Sequence, residues 1–291
     1  MTAMARTTLP SLFVSHGSPM IALQPGAAGA FMRELGPALD AAFARPRAIV
    51  VVSAHSLTRE PVLLAAARHD TVHDFGGFPQ PLYELRYDAP GAPELAPRAA
   101  QLLRDAGLPV QVVAEGGLDH GMWIPLRFAY PNVDVPVLPL AFPANWSPRQ
   151  LFAIGQSLAP LRSEGVLVLG SGSITHNLRL VFSRNAHADT AREDQPEMPE
   201  SAAFRRWFAE HSAAQDHDAL FDYRKLAPHA ALMHPSDEHL LPWYVAAGAG
   251  HEGPALRLHD SVTMGCLGMD AYAFGAQAER LQRELQGTVA A

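Results

Sequence analysis

Apolar side chains occupy nearly every position of residues 47–53 (RAIVVVS) and 166–170 (VLVLG). Unbroken β-branched runs of this length predict strands buried on both faces. Residues 135–140 read the same way, and 9–15 (LPSLFVS) form a shorter run that stops at His16. A further strand is predicted at 110–114 and a late one within 262–274. Between these runs the apolar positions recur at helical spacing, over 28–43, 94–106, 149–161 behind Pro148, 204–211 and 238–247. A polar helical tail follows at 276–286, and 183–201 reads as a surface loop. Strands alternating with helices predict an α/β sandwich whose central, largely parallel or mixed sheet is flanked by helices. One catalytic domain is expected over residues 1–291, with its core at about 9–274 and a tail at 276–291.

Composition narrows the possibilities. The chain has 291 residues, 48% of them hydrophobic and 18% charged, with a formal net charge of -7. No run of Lys or Arg resembles a phosphate-tracking patch, so nucleic acid is not an expected partner. A negative surface offers no attraction to anionic membranes, and no apolar run reaches the roughly 18 residues of a spanning helix. Residues 1–10 lack the pattern of a signal peptide. The single cysteine, Cys266, excludes an internal disulfide and a cysteine-rich zinc site, and suits a reduced, cytoplasmic setting. A monomer or small homo-oligomer is expected. The 14 histidines are scattered, so a metal site would be assembled from histidine and carboxylate brought from distant segments.

In open α/β sheets, sites form at the carboxyl ends of strands. Three predicted strand ends carry polar clusters: Ser15-His16-Gly17-Ser18-Pro19, Ser53-Ala54-His55, and the stretch from Gly170 to Asn177 that contains His176. A lone histidine there is more often a hydrogen-bonded core residue. His16 and His55 at equivalent strand ends favour two ligands of one catalytic metal ion. A third ligand is expected at Pro235-Ser236-Asp237-Glu238-His239, where Ser236 or Asp237 is the predicted helix cap and either Glu238 or His239 would complete a facial set. The plainer reading leaves Glu238 complementing the helix dipole and His239 at the surface. His120, within Asp119-His120-Gly121, and His176 suit acid–base work or local turns. The segment His73-Asp74-Phe75-Gly76-Gly77-Phe78-Pro79 suits a loop over an aromatic ligand, or a turn packed by its own phenylalanines. Phe75, Phe78, Trp123 and Tyr244 would line a pocket or belong to the core.

Taken in order, these six motifs resemble the class III extradiol ring-cleavage dioxygenases, the LigB-like group, and within it the 4,5-DOPA dioxygenase extradiol-like branch. The resemblance runs from about Leu9 to Phe274. It implies a LigB-like fold and one non-haem Fe(II) per chain, held by His16, His55 and His239, with Glu238 in reserve. It implies a catechol-type substrate, a small aromatic diol, opened with O2 to a muconic semialdehyde-type product. His176 and His120 become the acid–base pair, with His176 a fourth ligand in a resting or zinc-filled form. Zn(II) is expected to enter the site in purified protein. His73, Phe75 and Phe78 become substrate-binding residues. The chain departs from the branch at Ser56-Leu57, where an aromatic often follows the histidine, and that departure concerns the pocket. A zinc hydrolase on the same ligands and a non-enzymatic interaction protein are the competing readings. Retention of both His120 and His176 argues against the second.

Overall fold

Eight strands join in one mixed sheet in the computed structural model, which describes residues 8–184 and 195–289. In chain order they are β1 (Ser11–Ser15), β2 (Ala48–Ser53), β3 (Val62–Leu64), β4 (Gln111–Val113), β5 (Val137–Ala141), β6 (Val166–Gly172), β7 (Ala255–His259) and β8 (Ala271–Phe274). Their order across the sheet is β4-β3-β5-β2-β6-β1-β8-β7. The central run β5-β2-β6-β1 is parallel throughout. Antiparallel neighbours flank it, β3 beside β5 on one side and β8 then β7 on the other.

The unbroken apolar runs follow from burial on both sides. Val50 and Val52 of β2 point into one core and Ile49 and Val51 into the other. In β6, Val166 and Val168 part from Leu167 and Leu169 in the same way. Helices Ala96–Asp105, Pro148–Leu158, Pro199–Ala213 and Leu241–Ala249 cover the first face. Helices Gly26–Phe43, His120–Ala129 and Ala278–Val289 cover the second.

Several elements differ from expectation. Helix Pro199–Ala213 is longer than 204–211, and residues 185–194 of the predicted loop lie outside the described residues. The late strand is broken: Val262–Thr263 pairs with Leu267–Gly268 in a small ribbon before β8 begins. Strand β7 was not anticipated, because a half-buried edge strand carries no apolar run. Helix His120–Ala129 was missed too. It contains Gly121 and Pro125 and is buried on nearly every side, so it shows no amphipathic stripe. The helix predicted from Glu238 begins at Leu241, with Leu240 as its cap and no side-chain capping bond. Neither Ser236 nor Asp237 is the cap. The Asp237 carboxylate is instead taken by the Tyr223 hydroxyl and by Arg224.

Two glycines of β6 let this helix and the turn before it press against the sheet. A Cβ on Gly170 would stand 2.2 Å from the Pro242 carbonyl oxygen, and one on Gly172 2.0 Å from that of His239. The His239 carbonyl also accepts the Ser173 amide at 2.8 Å. Gly172→Ala is therefore expected to push the His239 turn outward and to cost about 1–3 kcal/mol as overpacking. A fall in urea midpoint at unchanged m-value, together with weaker metal retention, would register both effects.

Candidate metal centre

Three adjacent strands, β2, β6 and β1, deliver the cluster. His16 follows β1 directly and its amide donates to the Gly172 carbonyl at 3.0 Å. His55 lies two residues beyond β2, its amide bonded to the Ser53 hydroxyl at 3.2 Å. His239 is held against the end of β6 by the contacts just described. The Nε2 atoms of His16 and His55 are 3.1 Å apart. Two nitrogens each about 2.1 Å from one ion would show this separation at an N–metal–N angle of about 95°. His16, His55 and His239 each offer a ligand atom within 4.8 Å of the others.

Hydrogen bonding fixes which nitrogen faces inward. Ser171 Oγ donates its one hydrogen to the Gly121 carbonyl. It can then only accept from His16 Nδ1, 3.0 Å away, so His16 carries its proton on Nδ1 and turns the Nε2 lone pair toward His55. His239 Nδ1 lies 3.2 Å from Glu238 Oε1, which favours the same tautomer there. Burial, then the neighbouring imidazoles, hold His16 and His239 well below the usual histidine range. His55 is lowered to about 4 by burial and then by His120, against an opposing pull from Asp74. Neutral imidazole is the form that binds metal.

The remaining two histidines surround this trio. His176 stacks on His239 with ring centres 3.4 Å apart and planes 8° from parallel. Its amide donates to the Met233 carbonyl, and burial followed by His234 lowers it to about 4. His120 packs 4.0 Å from the His55 ring centre. Asp74 grips it twice, with Oδ1 accepting the backbone amide at 2.8 Å and Oδ2 facing Nδ1 at 2.9 Å. Burial raises the Asp74 carboxyl, but the His120 hydrogen bonds outweigh this and leave it below its ordinary value. Asp119 caps the His120–Ala129 helix and accepts the Ser53 and Ser56 hydroxyls at 2.6 and 2.7 Å. The same carboxylate thus ties the ends of two site segments together.

Other expected residues sit elsewhere. Phe75 meets His120 edge-on at 5.6 Å and packs with Phe78 and Tyr83. His73 lies outside the five-imidazole group, where Nε2 donates to the Leu85 carbonyl and braces the loop. Trp123 and Tyr244 are core residues rather than pocket lining. Both are fully buried, their polar atoms donating to the Val72 and Leu220 carbonyls. Glu238 contacts His239 Nδ1 and the Ser236 hydroxyl. The roles of Asp74, Ser171 and Asp119 were missed. Each stands beside a motif histidine or strand end, but only the folded geometry shows which ring each one holds.

Residues 10–275 match the family model described as the catalytic LigB subunit of aromatic ring-opening dioxygenase. The chain belongs to the LigB family. Several similar proteins are named 4,5-DOPA dioxygenase extradiol. That of Beta vulgaris is 36% identical over 267 residues, covering 91% of this chain and 96% of the relative. That of Escherichia coli K12 is 36% identical over 282 residues, covering 94% and 97%. A crystal structure of an uncharacterized Escherichia coli K12 protein superposes with a TM-score of 0.72 at 30% identity, covering 92% of this chain and 100% of the other. The family and the names of these relatives support dioxygenase activity, and the histidine–aspartate group could hold a metal ion. Among the described residues no helix is long and apolar enough to cross a membrane.

Proposed function

We propose that this protein is a non-haem Fe(II)-dependent extradiol dioxygenase that opens a catechol-type, DOPA-like ring with O2 to a muconic semialdehyde-type product. The observation that carries this reading is the facing pair of His16 and His55 Nε2 atoms at 3.1 Å, with His239 beside them. These three residues would hold one iron per chain. All-imidazole donors suit iron and zinc alike, and the affinity order lets zinc displace Fe(II) during purification. Iron bound there would supply open positions at which diol and dioxygen meet, and a path for electrons between them.

The chain's own groups handle orientation and protons. His176, neutral and stacked on His239, is placed to take a catechol proton at its free nitrogen and to return it as the ring opens. His120, fixed by the ionised Asp74, is the second proton-handling group. Positioned acid–base groups typically contribute about 100- to 10,000-fold each. Phe75 and Phe78 form an apolar wall beside His120 against which an aromatic ring can lie, and His73 holds the loop that carries them. A reducing cytoplasm suits both the ferrous ion and the lone Cys266.

Anaerobic loading with Fe(II), followed by oxygen-electrode measurements on a catechol panel, tests the proposal. The expected result is one O2 consumed per catechol, with a new visible absorbance from the opened ring. Hydrolytic activity with Zn(II) and no oxygen demand would replace this reading with the hydrolase.

A further inference from the structure

We propose that a groove walled by Arg33, Arg86 and Arg127 binds a small oxyanion of at least two negative charges, a phosphate or a polycarboxylate. This site is separate from the histidine cluster and does not depend on the dioxygenase reading. The chain is acidic, with 29 Asp and Glu against 22 Lys and Arg. Many of its arginines answer a carboxylate: Arg45 meets Asp134, Arg98 meets Glu164, Arg149 meets Asp218 and Arg257 meets Asp260.

The three groove arginines form no such ion pair. Arg33 comes from the middle of helix Gly26–Phe43, Arg127 from the last turn of helix His120–Ala129, and Arg86 from the segment leading into Tyr87. They meet around one surface groove of about 430 Å³, also lined by Pro37, Tyr87 and Phe128. Among the described residues, no carboxylate oxygen lies within 4.0 Å of any of their guanidinium nitrogens. Glu34, Glu84 and Asp88 are close in sequence but none comes within ion-pair distance; Arg86 acts on the Asp88 carboxyl only at longer range, lowering it after the Thr71 hydrogen bonds. The Asp88 carboxylate accepts the Thr71 amide and hydroxyl at 2.9 and 2.7 Å.

Two of the arginines have partial structural explanations. Arg127 complements the dipole at its helix C-terminus. Arg33 stands 5.1 Å from the centre of the Phe128 ring, a cation–π contact that orients its guanidinium. Neither contact is an ion pair, and neither accounts for all three arginines lining one groove. Guanidinium forks match the oxygens of phosphate and carboxylate, and positive charge without an ion-pair partner in a concave wall raises the local anion concentration. The groove lies at the end of a ten-residue helix, about 13 Å along its axis from His120.

Titration calorimetry on the metal-loaded protein, at constant ionic strength in chloride buffer, tests this with inorganic phosphate in one arm and succinate in the other. Saturable one-to-one binding of either anion is expected, and the arm that binds identifies the source chemistry. Arg86→Gln, an exposed change that leaves the core untouched, should weaken binding at least 3-fold. The double variant Arg33→Gln/Arg127→Gln should weaken it at least 10-fold, with unchanged circular dichroism showing that it folds. Arg206→Gln, an exposed arginine on helix Pro199–Ala213, should bind like the parent. No saturable binding in either arm would overturn the proposal. So would binding that survives all the groove substitutions, since the anion would then sit elsewhere, for example on the metal.

Discussion

Replacing His16 with alanine is expected to give a folded protein that has lost both its metal and its ring-cleaving activity. His16 supplies one of the two nitrogens that face each other at 3.1 Å, and its tautomer is set by the chain of hydrogen bonds through Ser171 to Gly121. Removing it breaks the facing pair and leaves His55 and His239, which come from separate segments. Loss of an outer partner of a metal ligand typically weakens affinity about 10- to 100-fold, so loss of the ligand itself should exceed about 100-fold. Ser171→Ala, which frees the His16 ring without deleting it, should fall within that smaller range. Metal analysis after dialysis, with circular dichroism as the check on folding, separates the two variants. Iron bound by His16→Ala as tightly as by the parent would end the ligand assignment.

The second large effect is expected at His176, where turnover and metal should separate. His176→Ala should keep iron within a few-fold of the parent while kcat falls about 100- to 10,000-fold, the usual contribution of a positioned proton-transfer group. The stacking of His176 on His239 makes this a demanding test, because the two rings almost touch. If metal and activity disappear together, His176 is a ligand in the working site as well. Asp74→Asn provides the comparison on the other side of the cluster. An amide can still accept from the His120 backbone, but it no longer carries the charge that steadies the ring. Its kcat should fall less than that of His176→Ala, with metal content unchanged.

How much could be read from the sequence depended on how each segment is buried. Strands β2 and β6 announce themselves because both faces are covered, which makes every position apolar. The strand-end location of His16 and His55 followed directly. Strand β7 and helix His120–Ala129 give weak signals for opposite reasons, one being half-exposed and the other covered all round. The start of the Leu241–Ala249 helix was misplaced because Asp237, a good cap by type, is spent on Tyr223 and Arg224. Tyr244 cannot be told from a pocket aromatic until the Leu220 carbonyl is seen to take its hydroxyl. Asp74 lies within the His73–Pro79 motif, but its grip on His120 spans 46 positions of chain. Arg33, Arg86 and Arg127 form no run, so their meeting is invisible before folding.

The site divides into two kinds of support. His16 and His55 follow strand ends and His239 sits in a turn pressed against β6, held by Ser171, Ser53 and the Ser173 amide, where an added methyl group at Gly172 or a lost hydroxyl is expected to shift an imidazole. In the loop with Phe75 and Phe78, Asp74 is tied to His120, whereas Phe75 meets that ring only edge-on and at Gly76 an added Cβ would meet nothing within 4 Å. Substitutions at Phe75, Gly76 and Phe78 are therefore expected to leave the imidazoles in place so long as Asp74 is kept. Under the proposed function, changes at these rim positions would alter which aromatic compound is accepted while the imidazole cluster stays as it is. A library randomised at positions 75, 76 and 78 is the natural place to look for that freedom in the laboratory.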